Sequence, residues 1–173
     1  ASDITRTFPV NGKFSPEQRA LYELVLAAQK AAIEEVRPGR PFGAYHDAAV
    51  RTLTAGLIKL GLLKGGVEKN IREQTYRKFY MHKTGHWLGL DVHDVGDYRV
   101  DGEFRELEPG MVVTVEPGLY IAPHAKGVAA KWRGIGIRIE DDVVVTRGDP
   151  EVITTAVPND PDAIEALMAA ARK

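Results

Sequence analysis

Gly134-Ile135-Gly136-Ile137-Arg138-Ile139-Glu140-Asp141-Asp142-Val143 is the run that decides how the chain folds. Isoleucines at alternate positions read as one face of a β-strand, extending over about Ile135 to Val145, with Arg138 and Glu140 together on the opposite face. Two readings of that second face stand: a polar surface in water, as on many antiparallel sheets, or a carboxylate held for chemistry.

Upstream lie other short β-prone runs cut by Gly and Pro: Trp87 to Val92, Met111 to Val115 and Leu119 to Ile121. Glu116 ends the second of them and is followed by Pro117-Gly118, so a carboxylate stands where a strand enters a turn. Nearer the N-terminus the period changes. Ser15-Pro16-Glu17-Gln18 supplies an N-cap, a Pro at the first helical position and a Gln three residues on. Leu21, Leu24, Val25, Ala28, Ala32 and Ile33 then give the helix a buried face until Arg37-Pro38-Gly39. A second helix is expected from about Ala44 to Leu60 and a short third from Val67 to Gln74. Asp160-Pro161-Asp162 opens a closing helix, with Arg172 and Lys173 suited to its negative end. The opening residues, Ala1 to Phe8, read like the middle of a strand. Helices, then strands, then a helix predict an α+β layer in which helices back a largely antiparallel sheet.

A chain of 173 residues with 44% hydrophobic content suffices for one domain with a core. The net charge of -1 gives no global field for nucleic acid or an anionic membrane, and no apolar run approaches the ~20 residues that span a bilayer. With no cysteine, any metal must be held by oxygen and imidazole ligands, and a cytoplasmic setting is expected.

Four of the five histidines fall between His82 and His124, three of them as His82-Lys83-Thr84-Gly85-His86 and His93. The His82 and His86 spacing resembles the zinc-protease helix, but Lys83 replaces the Glu that would be its base and Gly85 is a poor helix former, so that motif is rejected. On a strand, His86 and His93 would face opposite ways unless a turn intervenes. A set of satisfied core or surface histidines is the alternative. Asp3, His86, Glu116 and Glu140 together offer three carboxylates and one imidazole, a hard donor set that suits Mn²⁺ better than structural zinc.

Ser2-Asp3-Ile4-Thr5-Arg6-Thr7, the run His82 to Asp94, Glu116-Pro117-Gly118-Leu119-Tyr120 and Gly136-Ile137-Arg138-Ile139-Glu140-Asp141 resemble, in order, the motifs of the pita-bread metallopeptidases, and among them the aminopeptidase P branch. The resemblance runs from the first residue to about Leu167. It implies a pita-bread fold represented by its second half, with residues 1–173 as the C-terminal part of the catalytic domain. It also implies two divalent cations, most simply Mn²⁺, held by Asp3, His86, Glu116 and Glu140 and by an Asp upstream of Ala1. Glu140 and that upstream Asp would be shared between the ions. His93 and His82 are implied to contact the substrate or move protons, Arg138 to orient a ligand, and Tyr120 to lie beside the cleft. Glu116 is a candidate acceptor for the proton of an attacking water, and His93 a donor to the developing oxyanion. Tyr120 is a candidate wall for proline, whereas Trp87 reads rather as core.

The implied activity is release of the N-terminal residue from a peptide with proline second. Cleavage of Xaa-Pro dipeptides, as by prolidase, is the neighbouring alternative. A chain that begins so close to Asp3 is expected to be an inactive fragment on its own, a folding or assembly unit with an N-terminal fragment of the same protein as its partner. A homo-oligomer is expected for the whole. A pure binding protein on this fold would have no need of His86, Glu116 and Glu140 in register.

Overall fold

The computed structural model describes residues 1–171; Arg172 and Lys173, expected to complete the last helix, lie outside them. Helix α1 (Pro16–Ile33) begins as its sequence dictates. The Gln18 N–H donates to Ser15 Oγ at 3.2 Å, and the Ser15 N–H donates to Gln18 Oε1 at 2.8 Å. This reciprocal cap satisfies two backbone donors that would otherwise be orphaned, a contribution of about 1 kcal/mol. Helix α2 (Ala44–Lys59) packs along α1, where Leu24 seats against Gly56 because any Cβ there would overlap it. Helix α3 (Val67–Arg72) and a 3₁₀ turn at Thr75–Lys78 follow, and α4 (Pro161–Ala170) closes the described chain with Asp160 accepting from the Ala163 N–H at 2.9 Å.

The strands are β1 (Arg99–Val100), β2 (Glu103–Phe104), β3 (Val112–Val115), β4 (Gly118–Tyr120), β5 (Gly136–Arg138), β6 (Asp141–Val144) and β7 (Glu151–Val152). Every pairing is antiparallel: β1 with β2, β4 with β5, and β6 between β3 and β7. The single strand expected over Ile135 to Val145 is therefore two, interrupted at Ile139-Glu140. Pro117, which has no N–H to donate, lies across from the interruption, and there the Ile139 N–H reaches only the Pro117 carbonyl, at 3.3 Å. The register nevertheless carries through, because Val115 pairs with Asp141 and Gly118 with Arg138. Glu116 and Glu140 consequently face each other across the gap.

Alternation sorts the side chains of both segments. Val113, Val115, Leu119, Ile137, Ile139 and Val143 are buried toward the helices, in two clusters with Leu21, Tyr22, Val25 and Ala32 of α1. The opposite face carries Thr114, Glu116, Gly118 and Tyr120 beside Gly136, Arg138, Glu140 and Asp142.

Two extended segments read from β-prone composition are shorter than expected. From Trp87 to Val92 only Trp87 bridges Val113; the chain then turns, with the Gly89 N–H donating to Asp91 O and the Asp94 N–H to Trp87 O. Gly89 is required there, since a Cβ would run into the Asp94 carboxylate. The N-terminal residues are extended but form only one β-bridge among the described residues, Thr5 to Glu140, and are otherwise tied to the sheet by side-chain hydrogen bonds such as Thr7 Oγ1 to Arg138 O at 2.9 Å. Trp87 itself is core, packed on Phe42 at 4.6 Å between ring centres.

Candidate metal centre

Each candidate ligand is delivered by a different local device. Glu116 and Glu140 come from the two strand ends at the interruption. His86 is held by the segment beside β3: its N–H donates to Thr114 Oγ1 at 3.1 Å, and Thr114 N–H donates to His86 O at 3.0 Å. Gly85 permits this approach, because a side chain at that position would strike the Thr114 carbonyl. Asp3 is fixed through its backbone, whose N–H donates to both carboxylate oxygens of Asp142 at 3.2 and 3.3 Å. Behind it Arg6 anchors the N-terminal segment through a 2.7 Å ion pair with buried Asp141 and a 2.7 Å bond to Glu140 O.

These side chains converge as two overlapping sets, each with ligand atoms within 4.8 Å of one another: His86, Glu116 and Glu140, and Asp3, His86 and His93. His86 belongs to both. The turn at Gly89 brings His93 back onto it, with ring centres 4.4 Å apart and the planes nearly perpendicular. All four expected ligands thus lie at one place, and His93, expected to serve the substrate, sits within ligand distance as well.

The donor set suits a cation on two physical grounds. First, His86 Nδ1 is 2.9 Å from Trp87 O, a contact it can make only as the N–H. In the neutral imidazole Nε2 then carries the lone pair, and it stands 3.5 and 3.6 Å from Asp3 Oδ2 and Glu116 Oε1, among the oxygens that would share a cation with it. Secondly, Glu116 and Glu140 are like charges set directly opposite on neighbouring strands, with Asp3 nearby, an arrangement that repels unless something positive intervenes. Glu140 is only 2% exposed. Burial, reinforced by the charges of Glu116 and Asp3, pushes its carboxyl up to about 7 against a counter-pull from Thr5 and Arg138. Burial raises Glu116 and Asp142 also.

Around this core, Arg138 lies 3.8 Å from Glu140 Oε2 and donates from Nε to Thr5 Oγ1 at 3.3 Å. Thr5 Oγ1 donates in turn to Glu140 Oε2. His82 Nε2 and the Tyr120 hydroxyl are 2.8 Å apart, and burial together with the Arg138 charge lowers the His82 pKa. Thr5, Thr114, Asp142 and the Arg6–Asp141 pair escaped the reading of the sequence. Of these only the acidic run Glu140-Asp141-Asp142 inside an apolar strand carried a local signal. His46 was missed too: it reaches from α2 to Thr84 Oγ1 at 2.8 Å, and Thr84 also meets the Tyr80 hydroxyl at 2.6 Å, so the His82–His86 segment is braced from behind.

Residues 1–147 match the family described as metallopeptidase family M24. The chain belongs to metallopeptidase family M24. This M24 chain is 54% identical over 173 residues to the Xaa-Pro aminopeptidase of Escherichia coli K12, covering 100% of the chain and 39% of that protein. With the Xaa-Pro aminopeptidase of Haemophilus influenzae it shares 55% identity over 168 residues, 97% of the chain and 39% of the relative. Its fold matches that of Pseudomonas aeruginosa aminopeptidase PepP with a TM-score of 0.98 at 64% sequence identity, over 99% of this chain and 39% of that one. It also matches a zinc-substituted E. coli aminopeptidase P in complex with product, with a TM-score of 0.93 at 54% identity, over 99% and 38% of the two chains. The M24 chain thus has the pita-bread fold and spans about two fifths of the length of these relatives. Among its described residues no helix is long and apolar enough to cross a membrane.

Proposed function

We propose that the protein carrying this chain is a metal-dependent Xaa-Pro aminopeptidase, releasing the N-terminal residue of peptides whose second residue is proline. The observation that carries the reading is the pair Glu116 and Glu140, opposed across a gap in the sheet, with His86 Nε2 3.6 Å from Glu116 Oε1. The substrate class is proposed by analogy with the relatives at 54 and 55% identity, which are named Xaa-Pro aminopeptidases.

Asp3, His86, Glu116 and Glu140 would hold two divalent cations, Mn²⁺ being the best fit to so oxygen-rich a set, with Glu140 serving both and a further Asp supplied from preceding polypeptide. Bound there, the cations supply Lewis acidity toward the scissile carbonyl and lower the pKa of a water. Glu116 would accept the water's proton. His93 donates to the oxyanion that develops on the carbonyl. Tyr120 forms the wall against proline and His82 contacts the substrate beside it, held by their mutual hydrogen bond. Arg138 fixes Glu140 through Thr5 and its own charge. The protein is assigned to the cytoplasm.

Dialysis of the intact protein against chelator, followed by readdition of Mn²⁺, tests the proposal on an Xaa-Pro tripeptide and the matching dipeptide. Loss and recovery of activity, with the tripeptide preferred, is the expected result. Activity indifferent to chelation overturns the metal role, and cleavage of the dipeptide alone assigns the chain to a prolidase.

A further inference from the structure

Beyond Tyr120 the site face opens into a groove of about 600 Å³, separate from the candidate ligands but sharing the Tyr120 side chain with their surroundings. Its floor is bare because β5 begins at Gly136, where a Cβ would meet nothing nearer than the Tyr120 ring at 3.6 Å. Met81 stands at one side, and Pro123, His124 and Lys126 of the connection after β4 form the other. That connection is tied down: the Ala125 N–H donates to Ala122 O at 3.0 Å, and Lys78 Nζ donates to Lys126 O at 3.1 Å. Lys78, His124 and Lys126 are all exposed, and among the described residues no acidic side chain lines the groove.

An enzyme that removes one residue from a peptide must let the remainder of that peptide leave the site along some surface. Tyr120 and Gly136 are paired neighbours on β4 and β5 and both line the groove, so a peptide with its proline on Tyr120 has an open path over Gly136 toward the lysines. Resting on the aminopeptidase reading above, we propose that this groove is the subsite for residues after the proline and that its cationic rim selects a carboxylate there. The carboxylate can come from an acidic side chain or from the free C-terminus of a short peptide. Exposed charge pairs of this kind change affinity by roughly two- to fivefold each.

The test uses the intact, Mn²⁺-loaded enzyme and four peptides that begin Ala-Pro-Gly and differ only at the fourth residue. They end in Glu amide, Gln amide, Lys amide, and Gln with a free carboxylate. The expected order of kcat/KM has Glu amide above Gln amide by about two- to fivefold and Lys amide below both, with the spread shrinking as salt is raised. Free-acid Gln above Gln amide identifies the terminal carboxylate as a second source, and equality of those two confines selection to the side chain; either fits the proposal when Glu exceeds Gln. Lys126→Glu, an exposed change, should bring the ratio of Glu to Lys peptides close to one, since the new charge offsets that of Lys78. Equal rates for all four peptides, or a ratio untouched by Lys126→Glu, would overturn the subsite while leaving the peptidase reading intact. Failure to cleave any of them overturns both.

Discussion

The two faces of the segments 112–121 and 135–145 share one backbone and one register, yet they do opposite work. Toward the helices, Val113, Val115, Leu119, Ile137 and Ile139 are closed to solvent and packed in the two apolar clusters. Toward the cleft, the positions in between carry Glu116, Tyr120, Arg138, Glu140 and Asp142, of which Glu140 and Asp142 are buried as well. The first face stabilises the fold through apolar burial, while the second works against it, because buried carboxylates are costly until a cation joins them. Stability and function are separated by one residue of register.

The separation is broken most severely from the core side. Ile139→Ala should destabilise the fold by about 2–5 kcal/mol, read as a lowered urea midpoint, and should reduce metal content only in proportion to the protein unfolded. On the cleft side, His93→Ala should lower kcat by roughly a hundredfold or more while metal content and KM change little. A variant that loses its metal instead would place His93 among the ligands, which its contact with Asp3 and His86 makes a sharp question.

Acidity gives a third contrast. Without metal, Glu140 titrates near 7 in the folded protein against an ordinary value of 4.5, so its contribution to stability is full below pH ~4.5 and is lost as pH rises through about 7. Saturating Mn²⁺ should reverse that slope, because the ion binds the deprotonated carboxylate. Urea midpoints at pH 5 and 7.5, with and without Mn²⁺, check both signs, and Glu140→Gln should flatten the metal-free trend. The smallest effect concerns Gly118. A Cβ there would lie 2.5 Å from the Tyr120 hydroxyl and 2.9 Å from Ile137 O, so Gly118→Ala should shift Tyr120 off His82 and lower kcat/KM by about two- to tenfold.

Much of this contrast was legible in the sequence because period two is a local property. The alternation of Ile137 and Ile139 with Arg138 and Glu140 assigns both faces, and Ser15-Pro16 and Asp160-Pro161 start their helices where the chain does. The interruption at Ile139-Glu140 was invisible, since alternation persists while the hydrogen-bond partner changes from β4 to β3. Trp87 to Val92 looked like a strand for the same reason in reverse: its composition suits one, but the Asp94 carboxylate, taking the Leu90 and Val95 N–H groups at 3.1 and 2.8 Å, bends it. The threonines that steady the site act across long separations, Thr5 on Glu140 and Thr114 on His86, and no local pattern marks them.

The central claim is that Glu116 and Glu140 face each other in order to share cations. Metal content per chain of the intact protein, measured by elemental analysis after equilibration with Mn²⁺ and removal of free ion, tests it beside the Glu140→Gln variant, whose neutral amide is a poor bridge. Two ions in the parent protein and fewer than two in a still-folded variant is the predicted result. Two ions in both would contradict it.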